Sequence, residues 1–166
     1  MQPHREEALK LFDKATETEN EGIKYYEEAA AKVQDIKARE IFLSLAEGEH
    51  RHVKLIEGAK EDARDIYSSH AWTGDFVGEI GKEIEAIGRL YLPKLKGEII
   101  SANALDALNL GIQVEQASIA FYSNAKTKIT APGVSTLFST LCNFETVHLL
   151  FLELAVKDIK PGSKRN

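Results

Sequence analysis

The sequence predicts an all-α protein, a four-helix bundle made of two pseudo-symmetric helical hairpins joined by a long crossover. Three observations carry that prediction. Apolar residues recur every three or four positions through four stretches, the spacing of a helix face turned toward a core. The second pair of stretches repeats the first at a constant offset of 96 residues. Between the two pairs lies a segment rich in Gly, where the helical period breaks down.

The duplication is legible residue by residue. At the 96-residue offset Leu9 meets Leu105, Ile23 meets Ile119, Ala29 meets Ala125, Phe42 meets Phe138, Leu45 meets Leu141 and Ile56 meets Leu152. Polar positions travel with the apolar ones: Glu19, Tyr26, Glu49 and His52 recur as Glu115, Tyr122, Glu145 and His148. A unit repeated only twice, with so long a period, suits two hairpins facing one another around a shared centre better than a stacked array.

Helix 1 is expected over about residues 4–33. Pro3 fits its first turn, and the stripe runs Leu9, Phe12, Ala15, Glu19, Ile23, Tyr26, Ala30, Val33. Asp35 is a suitable cap for helix 2, about 36–61, with the stripe Ala38, Ile41, Phe42, Leu45, Glu49, His52, Ile56, Ala59. The break between them is so short that the two helices must be antiparallel neighbours. A crossover is expected over about 62–102, with Gly74, Gly78, Gly81, Gly88, Gly97 and Pro93. Val77, Ile80, Ile84, Ile87 and Tyr91 could form one short amphipathic helix inside it. A helix of about 26 residues is roughly 39 Å long, and a dozen or so extended residues retrace it, so this segment can carry the chain back along the bundle. Helix 3, about 103–129, is entered through Ser101 or Asn103 and has the stripe Leu105, Leu108, Ile112, Glu115, Ile119, Tyr122, Ile129. Pro132 and Gly133 open helix 4, about 132–159, whose stripe is Val134, Leu137, Leu141, Glu145, His148, Leu152, Ala155, Ile159 before Pro161 and Gly162 end it. The whole of 1–166 reads as one domain.

Composition narrows the partners. Twenty-one Lys and Arg against 26 Asp and Glu leave a formal charge of −5, and no basic face suggests nucleic acid. The longest apolar run, Val147 to Val156, is interrupted by Glu153, and the start of the chain lacks the basic-then-apolar pattern of a signal peptide. No membrane partner and a cytoplasmic location are the resulting expectations. Cys142 is the single cysteine, so an internal disulfide and a cysteine-bound zinc or iron site are both excluded; its repeat partner Ala46 makes it a small buried side chain.

Six polar residues interrupt otherwise apolar stripes at matching heights. Glu49 with His52, and Glu145 with His148, are Glu-x-x-His pairs, and residues three apart on a helix project from one face. Glu19 and Glu115 each stand 30 residues before the Glu of a pair. A lone Glu-x-x-His means little, and a lone Glu in a stripe is more often an edge residue reaching solvent. Reproduction of the whole set at one offset is not explained that way. Four carboxylates buried together would repel one another and protonate or open the bundle unless cations compensated them. Two divalent ions supply four positive charges, each taking one His, one terminal Glu and a share of two bridging Glu. Mixed oxygen and nitrogen ligation suits iron, with manganese also possible; zinc prefers fewer ligands and calcium avoids imidazole. Tyr26 and Tyr122 either fill core or hydrogen-bond a ligand carboxylate. Glu47, His50, Glu57 and Glu153 lie off the ligand rows on a solvated face, and His4 and His70 have no partner visible in sequence.

The stretches from Glu19 to Ala30, Leu45 to His52, Glu115 to Tyr122 and Glu145 to His148 resemble the ferritin-like di-iron carboxylate family, in its rubrerythrin branch. The resemblance covers the four helices and not the crossover. It implies a ferritin-like bundle with Glu19 and Glu115 as terminal ligands, Glu49 and Glu145 as bridges, and His52 and His148 completing the two sites. It further implies reduction of hydrogen peroxide or dioxygen at a di-iron centre, and a homodimer; Tyr26 and Tyr122, by their place beside the ligand rows, are the candidates for a role in turnover. Rubrerythrins proper also carry a rubredoxin-like domain with paired Cys-x-x-Cys motifs. This sequence has none, so electrons would come from an external donor such as a rubredoxin-like protein. An extra carboxylate expected one turn after Glu115 is replaced by Ser118, which makes the ligand set symmetric and closer to the ferritin type. Three readings follow: a peroxide- or dioxygen-reducing oxidoreductase, a ferroxidase-type iron-handling or storage protein, and a non-catalytic metal-binding bundle.

Overall fold

The computed structural model describes residues 3–65, 102–128 and 132–159. The expected crossover beyond Asp65, its short helix and the Ser101 cap lie outside the described residues, as do His70 and the side chain of His4. Four helices make up the described residues: α1 (Pro3–Lys32), α2 (Ile36–Asp65), α3 (Ala102–Lys128) and α4 (Pro132–Ile159). No strand occurs among them.

Local chemistry sets the helix ends. The Asp35 carboxylate accepts a hydrogen bond from the Ala38 backbone N–H at 2.8 Å, satisfying one of the free donors at the start of α2. The Val33 N–H returns to the Ala29 carbonyl at 3.0 Å and closes the last turn of α1. Pro132 occupies the first position of α4, where its missing N–H costs nothing.

Helices α1 and α2 pack along their lengths as one hairpin, α3 and α4 as the other, and the hairpins meet through α1 against α3 and α2 against α4. The core divides into two apolar clusters whose membership fixes the relative direction of the hairpins. One joins Tyr26 and Ala30 at the end of α1, and Val33 just beyond it, to Ala38 and Phe42 at the start of α2, Leu108 early in α3 and Leu152 late in α4. The other joins Phe12 and Ala15 early in α1 to Ile56 late in α2, Tyr122 late in α3 and Leu137, Phe138 and Leu141 early in α4. The start of α1 therefore lies beside the end of α3, so the second hairpin runs in the reverse sense and the duplication becomes a pseudo-twofold. Each fully buried Phe or Leu in these clusters contributes about 2 kcal/mol of transfer free energy.

Helix α4 alone among the described helices is long and apolar enough, from Gly133 to Lys157, to pass for a membrane span by composition. Its buried face includes Glu145 and His148 as well as Leu137, Leu141 and Leu152, as expected of a core helix surrounding a polar centre.

Candidate metal centre

Between the two apolar clusters lies a layer of six buried polar side chains. Glu19, Glu49, His52, Glu115, Glu145 and His148 are each at most 3% exposed. Their positions follow from the helix period: Glu19 lies between Ala15 and Ile23 on the inner stripe of α1, and Glu49 and His52 continue the Phe42–Leu45 row of α2. The same holds for Glu115 on α3 and for Glu145 and His148 on α4.

The two imidazoles lie side by side, with ring centroids 5.3 Å apart and planes 20° from parallel. His52 Nδ1 is 2.8 Å from Glu49 Oε2, 3.1 Å from Glu19 Oε2 and 3.2 Å from Glu145 Oε1. His148 Nδ1 is 3.4 Å from Glu49 Oε1, 3.5 Å from Glu115 Oε1 and 3.6 Å from Glu145 Oε2. Glu49 and Glu145 thus each turn one oxygen toward His52 and the other toward His148. Glu19 and Glu115 each serve one side. Two overlapping groups result, Glu19–Glu49–His52–Glu145 and Glu49–Glu115–Glu145–His148, and within each the donor atoms lie within 4.8 Å of one another.

The two tyrosines tie the hairpins together. Tyr26 of α1 donates to Glu115 of α3, and Tyr122 of α3 donates to Glu19 of α1. Both rings are fully buried, so each fills core and also orients a carboxylate. Both phenols are pushed well above their ordinary range, by burial first and by the facing carboxylates second.

Electrostatics divide the carboxyls into two kinds. Burial, with repulsion from Glu145 and Glu49, raises Glu19 and Glu115 well above the usual carboxylate range. Burial also pushes Glu49 upward, but the charge of His148 and hydrogen bonds from both imidazoles outweigh it and hold the group low. Glu145 is likewise held low by hydrogen bonds from His148 and His52 against burial and Glu49. Burial disfavours protonated imidazole, yet His52 and His148 are raised well above the ordinary value by Glu19 and Glu49 respectively, with the neighbouring carboxylates adding to it. Without metal, these directions favour ionised Glu49 and Glu145 beside positively charged imidazoles, with protons kept on Glu19 and Glu115. Such a layer is neutral as a whole.

The donor set fits a pair of divalent ions. Glu115 Oε2 is buried without a hydrogen-bond partner, and Glu49 Oε2 and both oxygens of Glu145, equally buried, face only the crowded imidazole nitrogens, which leaves lone pairs with little use in the protein alone. Two divalent charges balance four ionised carboxylates, so the layer is neutral with metal as well. These six side chains could hold such a pair, as the sequence anticipated.

Other expectations fall into place around the layer. His50 is exposed and 3.4 Å from Glu27, and Glu47 and Glu57 are exposed too. Cys142 is buried, 3.3 Å from the Ser123 hydroxyl. Phe144 is the side chain that reasoning from sequence missed. It is 1% exposed and stacks on His52, with centroids 4.7 Å apart and planes 24° from parallel. Its repeat partner is Gly48, and that break in the duplication, directly before a Glu-x-x-His, was the available signal.

Architecture and centre together define a ferritin-like helical bundle with a buried carboxylate–histidine site of the dimetal kind. The family model described as Rubrerythrin matches residues 10–156. The chain belongs to the rubrerythrin family. No curated protein and no solved structure gives a match.

Proposed function

We propose that this protein is a non-haem di-iron oxidoreductase that reduces hydrogen peroxide or dioxygen with electrons from an external donor. The observation that supports this reading most is the pair of carboxylates, Glu49 and Glu145, each turning one oxygen to either imidazole. That arrangement suits two metal ions close enough to act on one small oxidant together. When bound, two ferrous ions supply two electrons at once, enough to cleave the O–O bond of peroxide.

The chain's own residues do the rest. Glu19 and Glu115 would serve as the terminal ligands, Glu49 and Glu145 would be shared between the two ions, and His52 and His148 would each complete one site. Tyr26 and Tyr122 hold Glu115 and Glu19 in fixed orientations, as outer partners of ligating groups do. Each tyrosine hydroxyl keeps its proton and directs it at the carboxylate that it faces, at the edge of the centre. The surrounding Phe, Leu and Ile layers exclude bulk water and so strengthen every charge interaction within. Manganese could occupy the same donors, and iron is chosen because its two accessible oxidation states serve the proposed reaction.

A second reading, ferroxidase-type iron handling, draws support from Ser118. This side chain is 7% exposed, one turn beyond Glu115, and leaves the centre with a symmetric set of four carboxylates. One experiment separates the readings. Protein purified without added metal is analysed for iron, reduced, and mixed anaerobically with hydrogen peroxide. The oxidoreductase predicts rapid oxidation of two irons per chain that stay bound and can be reduced again. Release of ferric ion and repeated uptake of ferrous ion would favour ferroxidase handling, and an inert centre would reduce the metal to a structural role.

A further inference from the structure

The duplication repeats every side chain of the six-residue layer but not the one that packs against it. Phe144 precedes Glu145, Gly48 precedes Glu49, and only a residue with a ring can do what Phe144 does. The Phe144 ring stacks on His52 at 4.7 Å, with planes 24° from parallel, and the His148 ring stacks on it too at 5.3 Å and 20°. His52 is thereby flanked by two near-parallel rings. Rotation about its Cβ–Cγ bond would drive the ring edge into Phe144, which is itself fully buried among Tyr122, Leu137, Phe138 and Leu141. Such rotation is the motion that would turn Nδ1 away from Glu19, Glu49 and Glu145. An imidazole that gains positive character, by protonation or by ligating a cation, also gains attraction to the face of the ring beside it.

We propose that Phe144 is the positioning residue of the His52 half of the centre, holding the imidazole plane so that Nδ1 stays aimed at its three carboxylates. It touches neither the metal nor the oxidant and acts through His52. The inference rests on the reading of the six residues as a two-ion site and not on which reaction that site performs. Removing the ring weakens one of the two ions selectively, by tenfold or more, about the size of effect that loss of an orienting partner has on metal affinity.

The test is a binding cycle with Co2+ alone as probe, read by calorimetry and by the visible absorption of the bound ion. The unmodified metal-free protein is expected to bind two ions. His148→Ala leaves the His52 half, and His52→Ala leaves the His148 half. Phe144→Leu, which keeps an apolar side chain but no planar ring, is added to each. The expected result is about a tenfold loss in the His148→Ala background and a change under twofold in the His52→Ala background. Phe144→Tyr, which keeps the ring, restores the tight step. Equal losses in both backgrounds, or none in either, would overturn the proposal and return Phe144 to core filling, which the melting temperatures of the metal-free variants report separately. Failure of the unmodified protein to bind two ions overturns the metal reading and this inference with it. A protein that binds two ions yet ignores peroxide overturns only the proposed reaction.

Discussion

The two hairpins each carry the same three polar residues of the layer, two Glu and one His, and differ at several positions directly beside them. In the first, Gly22 lies one turn after Glu19, Gly48 precedes Glu49 and Tyr25 precedes Tyr26; in the second these positions are Ser118, Phe144 and Phe121. The outer face of α2 shows Glu47, His50 and Lys54, while the same positions of α4 show the exposed, uncharged Asn143, Thr146 and Leu150. The lesson is where the chemistry tolerates change. Residues that turn donor atoms into the layer are kept in register. Residues that touch the backs of those donors, or face water, have drifted independently.

The sharpest way to break the equivalence of the hairpins is to delete a carboxylate that both halves share. Glu49→Ala and Glu145→Ala should each abolish binding of two irons per chain, and each should also remove the stabilisation that metal confers. That stabilisation is about 2.7 kcal/mol when free metal is a hundred times its dissociation constant. Glu19→Ala and Glu115→Ala should instead weaken chiefly one ion. Iron content and the metal-dependent shift in melting temperature decide it: two irons tightly held after loss of Glu49 or Glu145 would reject the bridging assignment.

Next in size is the effect of pH, which should reverse sign with metal. In the metal-free protein Glu19, Glu115, His52 and His148 are all raised, so the stability each adds is complete below its unfolded value and lost as pH rises through its folded one. Glu49 and Glu145 are held low, and their contribution is complete above the ordinary carboxylate value of 4.5 and lost as pH falls. The metal-free bundle should therefore melt highest in mild acid and lose stability as pH climbs past the ordinary imidazole value of 6.5. Metal competes with the protons on those four groups, so the loaded protein should gain stability over the same interval and release protons as it binds. Melting curves of both forms at about pH 5.5 and pH 8.5 suffice, and parallel trends would refute the charge assignment.

Much of this was legible beforehand because a duplication is a control built into the sequence. The stripes gave the helices, since apolar period is the main determinant of which face of a helix is buried. The offset separated the ligand rows from His50, Glu47 and Glu57, which match the same residue types and lie outside. Reversal of the second hairpin agrees with two hairpins facing a shared centre, because it brings the faces that carry the six polar residues together. What remained hidden were contacts between different helices. That Tyr26 reaches Glu115 and not a carboxylate of its own hairpin depends on the packing of α1 against α3, which no local pattern encodes. The Phe144 ring over His52 is likewise a contact of α4 with α2.

Those crossed tyrosines supply a smaller test. Tyr26→Phe and Tyr122→Phe each remove a hydroxyl from a buried carboxyl, at a cost of about 1–3 kcal/mol of stability in the metal-free protein. Metal stoichiometry should stay at two while turnover with peroxide slows. An unchanged rate in both variants would leave the tyrosines as core filler that happens to orient a ligand.

The smallest expected effect concerns a methyl group. Ala15 in α1 is fully buried, and its counterpart in α3 is Gly111. A Cβ on Gly111 would come within 3.3 Å of Leu152 Cδ1 and 3.5 Å of the Tyr26 ring, both in fully buried side chains with little room to give. Gly to Ala in a helix is worth about 1 kcal/mol in its favour, so Gly111→Ala should come out near neutral, the crowding offsetting the gain. In the first hairpin Ala15 is accommodated in a cluster with Ile56, where the second hairpin has Leu152. Branching at Cβ draws the side chain back from the position that Leu152 Cδ1 occupies. The pair Gly111→Ala with Leu152→Ile should then be more stable than the two single changes predict, by about 0.5 kcal/mol or more. Strict additivity would mean that the glycine is set by the Tyr26 ring alone, and the hairpins would differ there through their aromatic packing.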